Sequence, residues 1–363
     1  MELVNQTPVP ARVSVSSVEN VPHRLGMLVA KATFRIAEGG RAELDTQEPI
    51  PLYDGDEATE VGVRPRDDLP RHDPAFEVLL LGAAYGPEGR AVAERRVSLS
   101  VGAHRRELLV VGDRSWTSRT SISAPVPFAR MPMTFDRTFG GSYDVLVDDG
   151  AVATVVHPPN RHGRGFDPEP AARALGEFLK SPNGYPQWIR ERPLPNLEDP
   201  AGRIARYEDA PDAVCWSALP MDTLLHLQRG VVLPVGNASP PADEAQFASM
   251  LGTTWMKDGF FHRAHPDWVL DVPPGGVAIE MDGVSPRGPI RFGLPTLSVV
   301  ADFTFGDVVG KRVLAPQMLV LLPEEKRFYL VYRRTFQLAP HAGFECSFRL
   351  RLEDTWRTGR EEA

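Results

Sequence analysis

The sequence predicts a mainly-β protein: antiparallel, sandwich-like sheets with long, ordered Pro/Gly-rich loops and a few short helices. Three observations carry that expectation. Runs rich in branched and aromatic residues recur in the first and last thirds, as in "RLGMLVAKATFRI" at Arg24–Ile36 and "MLVLLPEEKRFYLVYRRTF" at Met318–Phe336. In "VSLSV", Val97, Leu99 and Val101 alternate with Ser98 and Ser100, the period of two of a half-buried strand. Proline supplies 35 of 363 residues, about twice the usual ~5%. A residue without a backbone donor breaks helix interiors, so the chain favours turns, short strands and ordered loops.

In chain order, Arg24–Ile36 is a strand ending at the glycine turn "AEGGR", and "FEVLLLGAAYGPEGR" is a strand followed by a Gly-Pro turn. "RAVAERRVSLSVGAHRRELLVVGDRSW" is a hairpin broken at Gly102–Ala103. From Ala124 to Pro200 proline, glycine and arginine dominate, in "APVPFARMPMTFDRTFGGSYD", "HPPNRHGRGF" and "RPLPNLEDP". Large apolar residues there (Phe128, Met131, Phe135, Phe139, Trp188) anchor the loops. One helix starts at Glu169–Pro170 and stops at Pro182–Asn183–Gly184; a second spans "PADEAQFASMLGTTWM". The last third returns to strands in "GVAIEMDG", "PIRFGLP", "LSVVADFTFG", "KRVLAPQMLVLL", "RFYLVYRRTFQL" and "FECSFRLRLED", with Pro323–Glu324–Glu325–Lys326 as a hairpin turn. The organisation is a β-rich region at 1–123, a connecting region at 124–200 and a second β-rich region at 201–363, as separate parts or as one compact unit.

Composition narrows the function. A formal charge of −8, from 48 acidic and 40 basic residues, argues against general nucleic-acid binding, which needs a positive field. No run approaches the ~18 apolar residues of a membrane helix. "MELVNQTPVP" lacks the basic start and apolar stretch of a secretory signal, so a cytoplasmic location is expected. Cys215 and Cys346 make neither a disulfide framework nor a zinc set, and read as two buried thiols.

The sequence holds no phosphate loop, dinucleotide fingerprint, G-x-S-x-G elbow or H-E-x-x-H. His157 and His162, and the trio His262, His265 and Asp267, are the metal candidates. Both groups lie on loops, where spacing enforces no convergence, so no metal and no cofactor is expected. Asp67 and Asp68, among three arginines in "RPRDDLPRHD", read as a solvated, salt-bridged loop. Asp136 reads as an ion pair with Arg137. Arg130, Arg137, Arg161 and Arg164 read as loop cross-links or as donors facing an acidic partner, because the flat guanidinium fork suits carbonyls and carboxylates.

"MELVNQTP", "LVAKATFRI", "VLLLGAAYGPEGRAV", "LLVVGDRSW", "FARMPMTFDRTFGG", "HPPNRHGRGF", "PLPNLED", "DGFFHRAHPD", "PIRFGLP" and "RRTFQL" occur in this order along nearly the whole chain. Together they resemble the bacterial family called domain of unknown function 2169. The resemblance implies a non-enzymatic type VI secretion adaptor or chaperone. Its partners would be a secreted effector and the VgrG spike or PAAR tip onto which the effector is loaded. It points to Arg130 and Phe139–Gly140–Gly141, to Asn160, Gly163, Arg164 and Gly165, and to Pro195–Asn196–Leu197–Glu198. The sequence departs from the family after "PLPNLED", where a tryptophan-proline-arginine motif and a "GTYD" motif are usual, and at "HRAHPD". The partner-binding or loop-bracing residues expected are thus Arg130, Arg137, Phe139, His157, Asn160, Arg164 and Asn196. Alternative readings are a metal-dependent hydrolase using the loop histidines and a carbohydrate-binding β-sandwich.

Overall fold

The computed structural model describes residues 2–17, 24–69, 75–146, 152–167, 192–221, 262–273, 275–305, 308–338 and 346–353. Both helices expected from the sequence, and Trp188, lie outside these residues. Within them the protein is mainly β with antiparallel sheets, as the alternating runs require.

The larger sheet has ten strands. Its main path runs Glu2–Asn5, Cys346–Glu353, Ser298–Phe305, Val308–Leu322, Arg327–Leu338, Arg24–Ile36, Ala11–Ser17. The first and last thirds of the sequence therefore interleave in one sheet. It curls into a nearly closed barrel. Its two end strands, Glu2–Asn5 and Ala11–Ser17, are consecutive in sequence and joined by a short turn. Asn5 shapes that turn: its Nδ2 donates to the Val9 carbonyl at 2.7 Å, and its Oδ1 accepts from the Thr7 amide at 3.0 Å. The long hairpin turns at Pro323–Lys326 as expected. Phe76–Leu80 pairs in parallel with the second half of Val308–Leu322.

The second sheet is antiparallel and has five strands, ordered Leu197–Glu198, His104–Val111, Glu94–Val101, Ala278–Asp282, Ile290–Gly293. Its central hairpin breaks at Gly102 (φ 58°), a left-handed conformation that glycine takes at little cost. One core joins the two sheets: Phe292 of the small sheet stacks on Phe328 of the large one at 4.6 Å, and Phe328 on Phe34 at 5.0 Å. Each such fully buried side chain contributes about 1.5–3 kcal/mol.

The centre of the large sheet is buried on both faces. Residues 45–67 cover the face that carries Lys31, Thr33, Tyr329 and Arg333, all closed to solvent. Their polar atoms hold the covering segment. Thr33 Oγ1 accepts from the Ile50 amide at 2.9 Å, Lys31 Nζ donates to the Pro51 carbonyl at 2.8 Å, and Arg333 Nε donates to the Asp67 carbonyl at 3.0 Å. This corrects the reading of Asp67 as part of a solvated loop. Its carboxylate is buried 2.6 Å from Lys31 Nζ and also accepts from the Tyr53 amide at 2.7 Å. Only Asp68 keeps the surface role, paired with Arg66. Cys215 is a free, buried thiol.

Candidate functional site

The middle region packs on a smaller apolar cluster of Trp116, Phe139, Leu194, Ile204 and Tyr207. Above it, Phe139–Gly140 pairs in parallel with Arg164–Gly165, bringing "TFGG" against "HGRGF". Asn160 is the fastener. Fully buried, its Nδ2 lies 3.0 Å from the Phe135 carbonyl, 2.7 Å from Thr138 Oγ1 and 3.1 Å from the Phe139 carbonyl. Its Oδ1 accepts from the His162 amide at 3.1 Å, and its carbonyl accepts from Gly141 at 2.8 Å. The fit leaves no space for side chains. A Cβ on Gly140 (φ 149°) would lie 2.1 Å from the Asn160 carbonyl oxygen, and one on Gly163 would lie 2.5 Å from Asn160 Nδ2.

Asn196 is the second fastener, also fully buried. Its Nδ2 donates to the Val111 carbonyl and to Asp113 Oδ1, each at 3.0 Å. Its Oδ1 accepts from Arg137 at 3.1 Å and from Arg164 at 3.3 Å. Arg164 Nε also donates to the Asp136 carbonyl at 3.2 Å. The carboxylates around this arginine pair stand off. Asp113 is 3.7 Å from Arg137 and 3.9 Å from Arg164, and Asp136 is 3.6 Å from Arg164. Asp136 thus pairs with Arg164, not with its neighbour Arg137. The arginine side chains are about one quarter exposed, whereas Asp113 and Asp136 are 64% and 54% exposed. Burial, and then the adjacent Arg137 charge, lower the Arg164 pKa.

The structure therefore brings together six of the seven expected residues: Arg137, Phe139, His157, Asn160, Arg164 and Asn196. His157 belongs to the packing. Its ring meets the Phe139 and Phe166 rings at 5.1 and 5.2 Å, and burial lowers its pKa. Phe135 and Phe139 are buried, so they anchor the loops and present no surface to a partner. Arg130 stands apart, beside the Pro323–Lys326 turn, where it pairs with Glu60 and with Glu324 at 2.8 Å. Arg161 is exposed. His265 caps a short turn, its Nδ1 accepting from the Asp267 amide at 3.3 Å. Among the described residues, no three His, Cys, Asp or Glu side chains come together as a metal site.

Sequence reasoning missed several buried charges that lock other loops. Arg263 makes a two-pronged contact with Asp56 at 2.9 and 2.7 Å, Arg114 pairs with Glu198, and Glu77 accepts from the Arg263 and Ala264 amides. Glu77, inside the apolar run "FEVLLL", gave a signal: a carboxylate there requires an internal partner.

Fold and site together define a mainly-β protein whose long connecting loops are locked by buried side-chain amides and ion pairs. Residues 23–333 match the model of a family described as an uncharacterized protein conserved in bacteria, domain of unknown function 2169. The chain belongs to that family. No curated protein and no solved structure matches it.

Proposed function

We propose that this chain is a non-enzymatic adaptor that grips other proteins. More specifically, we propose a cytoplasmic type VI secretion adaptor or chaperone that holds an effector and helps load it onto the VgrG spike or PAAR tip. One observation carries the binding role: two guanidiniums converge on the single buried oxygen of Asn196. The polar groups of Asn160 and Asn196 are engaged in holding three loop segments rigid. At the surface they leave an arginine pair with loosely paired, exposed carboxylates. Such exposed pairs contribute little to folding, about 0–1 kcal/mol each, so they can re-pair with a partner at small cost, while the rigid scaffold limits the ordering entropy of binding. The secretion-specific part rests on what the resemblance of the ordered motifs implies.

Affinity capture with the tagged chain from its native bacterium, read by mass spectrometry, tests this. An effector, spike or tip protein is the expected catch. Arg164→Ala should reduce capture several-fold with a melting temperature within a few degrees of the original. Capture of no such protein, or a turnover lost on replacing His157 or His265 in a folded chain, would overturn the adaptor reading.

A further inference from the structure

The isolated position of Arg130 leads to a second surface. Arg130 Nε donates to Glu324 at 2.8 Å, and the Tyr85 hydroxyl donates to the same carboxylate. Tyr85 and Glu324 both line a cleft of about 510 Å³, walled by Ile36–Gly40, Ser285–Arg291 and the Pro323–Lys326 turn. Its apolar lining comes from Ile36, Val284 and Ile290 and from Pro286, Pro289 and Pro323. Prolines fix the backbone, so the cleft is largely pre-formed.

The charges at its mouth are unequal. Glu324 is held by Arg130, and Arg291 pairs with Glu280 at 2.7 Å. Among the described residues, Arg287 and Lys326 have no carboxylate partner, and they face one unpaired carboxylate, Glu38. The mouth therefore carries a surplus of positive charge on a chain of net charge −8.

Lys326 supplies an independent observation. Its φ is 50°, and only it and Glu88 take positive φ without being glycine among the described residues. The turn positions its backbone, the amide donating to the Pro323 carbonyl at 3.2 Å and the carbonyl accepting from Ile36 at 2.8 Å. Glycine or asparagine suits that conformation better. A lysine held at φ 50°, against its backbone preference and lining this cleft, points to a use for its charge.

We propose that this cleft is the docking site for an acidic, partly apolar segment of a partner protein. Its carboxylates would meet Arg287 and Lys326, and its apolar side chains would fill the proline-walled interior. The proposal rests on the adaptor reading for its partner class, and uses a surface separate from the Arg137–Arg164 pair.

The test is fluorescence anisotropy with a labelled peptide of alternating leucine and glutamate, against a leucine–lysine peptide of equal length. The full chain should bind the first and not the second. Arg287→Ala and Lys326→Gly should each weaken binding at least about fivefold, the loss expected for one charged contact. Lys326→Gly relieves the backbone, so its melting temperature should hold or rise while binding falls; a merely structural lysine would not separate the two. Equal binding of both peptides, no binding, or unchanged affinity in both variants would overturn the proposal. So would a dimer of the chain broken by Lys326→Gly, which would assign the cleft to a second copy. Capture from cells distinguishes the two readings: a partner held equally by wild type and both variants sinks this cleft alone, whereas a wild type that captures no partner sinks the adaptor reading.

Discussion

The Lys31 ammonium and the Asp67 carboxylate lie 2.6 Å apart with both side chains closed to solvent. Tyr53 and Tyr329 offer their ring faces to the same ammonium at 4.1 and 4.6 Å. The pair fastens residues 45–67 to the large sheet. Removing one partner leaves a buried charge with no counterion, so Lys31→Met should destabilise by roughly 3–5 kcal/mol. The double variant Lys31→Met, Asp67→Leu should recover most of that loss, because neither charge then needs desolvating. Urea unfolding of both variants checks this; a double variant no more stable than the single would refute it.

The same lysine should impose a pH dependence. Burial lowers its pKa from 10.5 to about 8, outweighing the attraction of Asp67, and Arg333 and Arg64 add to the lowering. The folded chain therefore releases this proton before the unfolded chain does. Between pH 8 and about 10 the unfolded state holds this proton and the folded state does not, so the contribution of Lys31 makes stability rise with pH across that window. Above it, Tyr329 and Tyr332, whose pKa values burial raises, keep protons that the unfolded chain loses, and the trend reverses. The wild-type urea midpoint should climb from about pH 7.5 to about pH 9.5 relative to that of Lys31→Met. Parallel curves for the two proteins would rule the mechanism out.

Asn160 should be the least replaceable residue of the candidate site. Its amide serves acceptors from Phe135, Thr138 and Phe139, all buried with it. Asn160→Ala should cost about 2–4 kcal/mol, since each abandoned buried acceptor costs about 1–3 kcal/mol. Asn160→Asp should cost more, because an acceptor-only carboxylate would face two carbonyl oxygens. Asn160→Asp matching wild type in thermal unfolding would show that the carboxamide is not the fastener.

What was legible in the sequence was local. The Gly102 and Pro323–Lys326 hairpins could be read because alternation and turn residues sit within a dozen positions of each other. The pairing of Arg24–Ile36 with Arg327–Leu338 could not, since neither strand encodes its distant partner. Lys31 in "LVAKATF" and Glu77 in "FEVLLL" carried a signal of buried charge that the sequence reading did not take up, whereas Asp67, on a loop among arginines, resembled ordinary solvated charge. In the site, the glycines and prolines announced tight turns. The convergence of Arg137 and Arg164 on Asn196 depends on three loops meeting, and sequence spacing contains nothing of that. Arg130 was singled out as a partner-binding or loop-bracing residue, but its partners Glu60 and Glu324 lie 70 and 194 positions away and could not be read from its surroundings.

Arg263 tests whether loop locking needs the guanidinium shape or only a positive charge. Its two terminal nitrogens each meet one oxygen of Asp56, at 2.9 and 2.7 Å, while Nε donates to the Leu219 carbonyl at 2.7 Å. The same carboxylate accepts from the Met221 and Arg66 amides at 3.1 and 3.2 Å. Lysine can supply the charge but not three donors in one plane. Arg263→Lys should therefore abandon the Leu219 carbonyl and loosen Asp56, costing about 1–3 kcal/mol. Hydrogen exchange should accelerate at the Met221 and Arg66 amides, while exchange at the core strand Phe76–Leu80 changes only by the global loss of stability. Unchanged protection at both amides in a folded Arg263→Lys would mean that charge alone holds these loops.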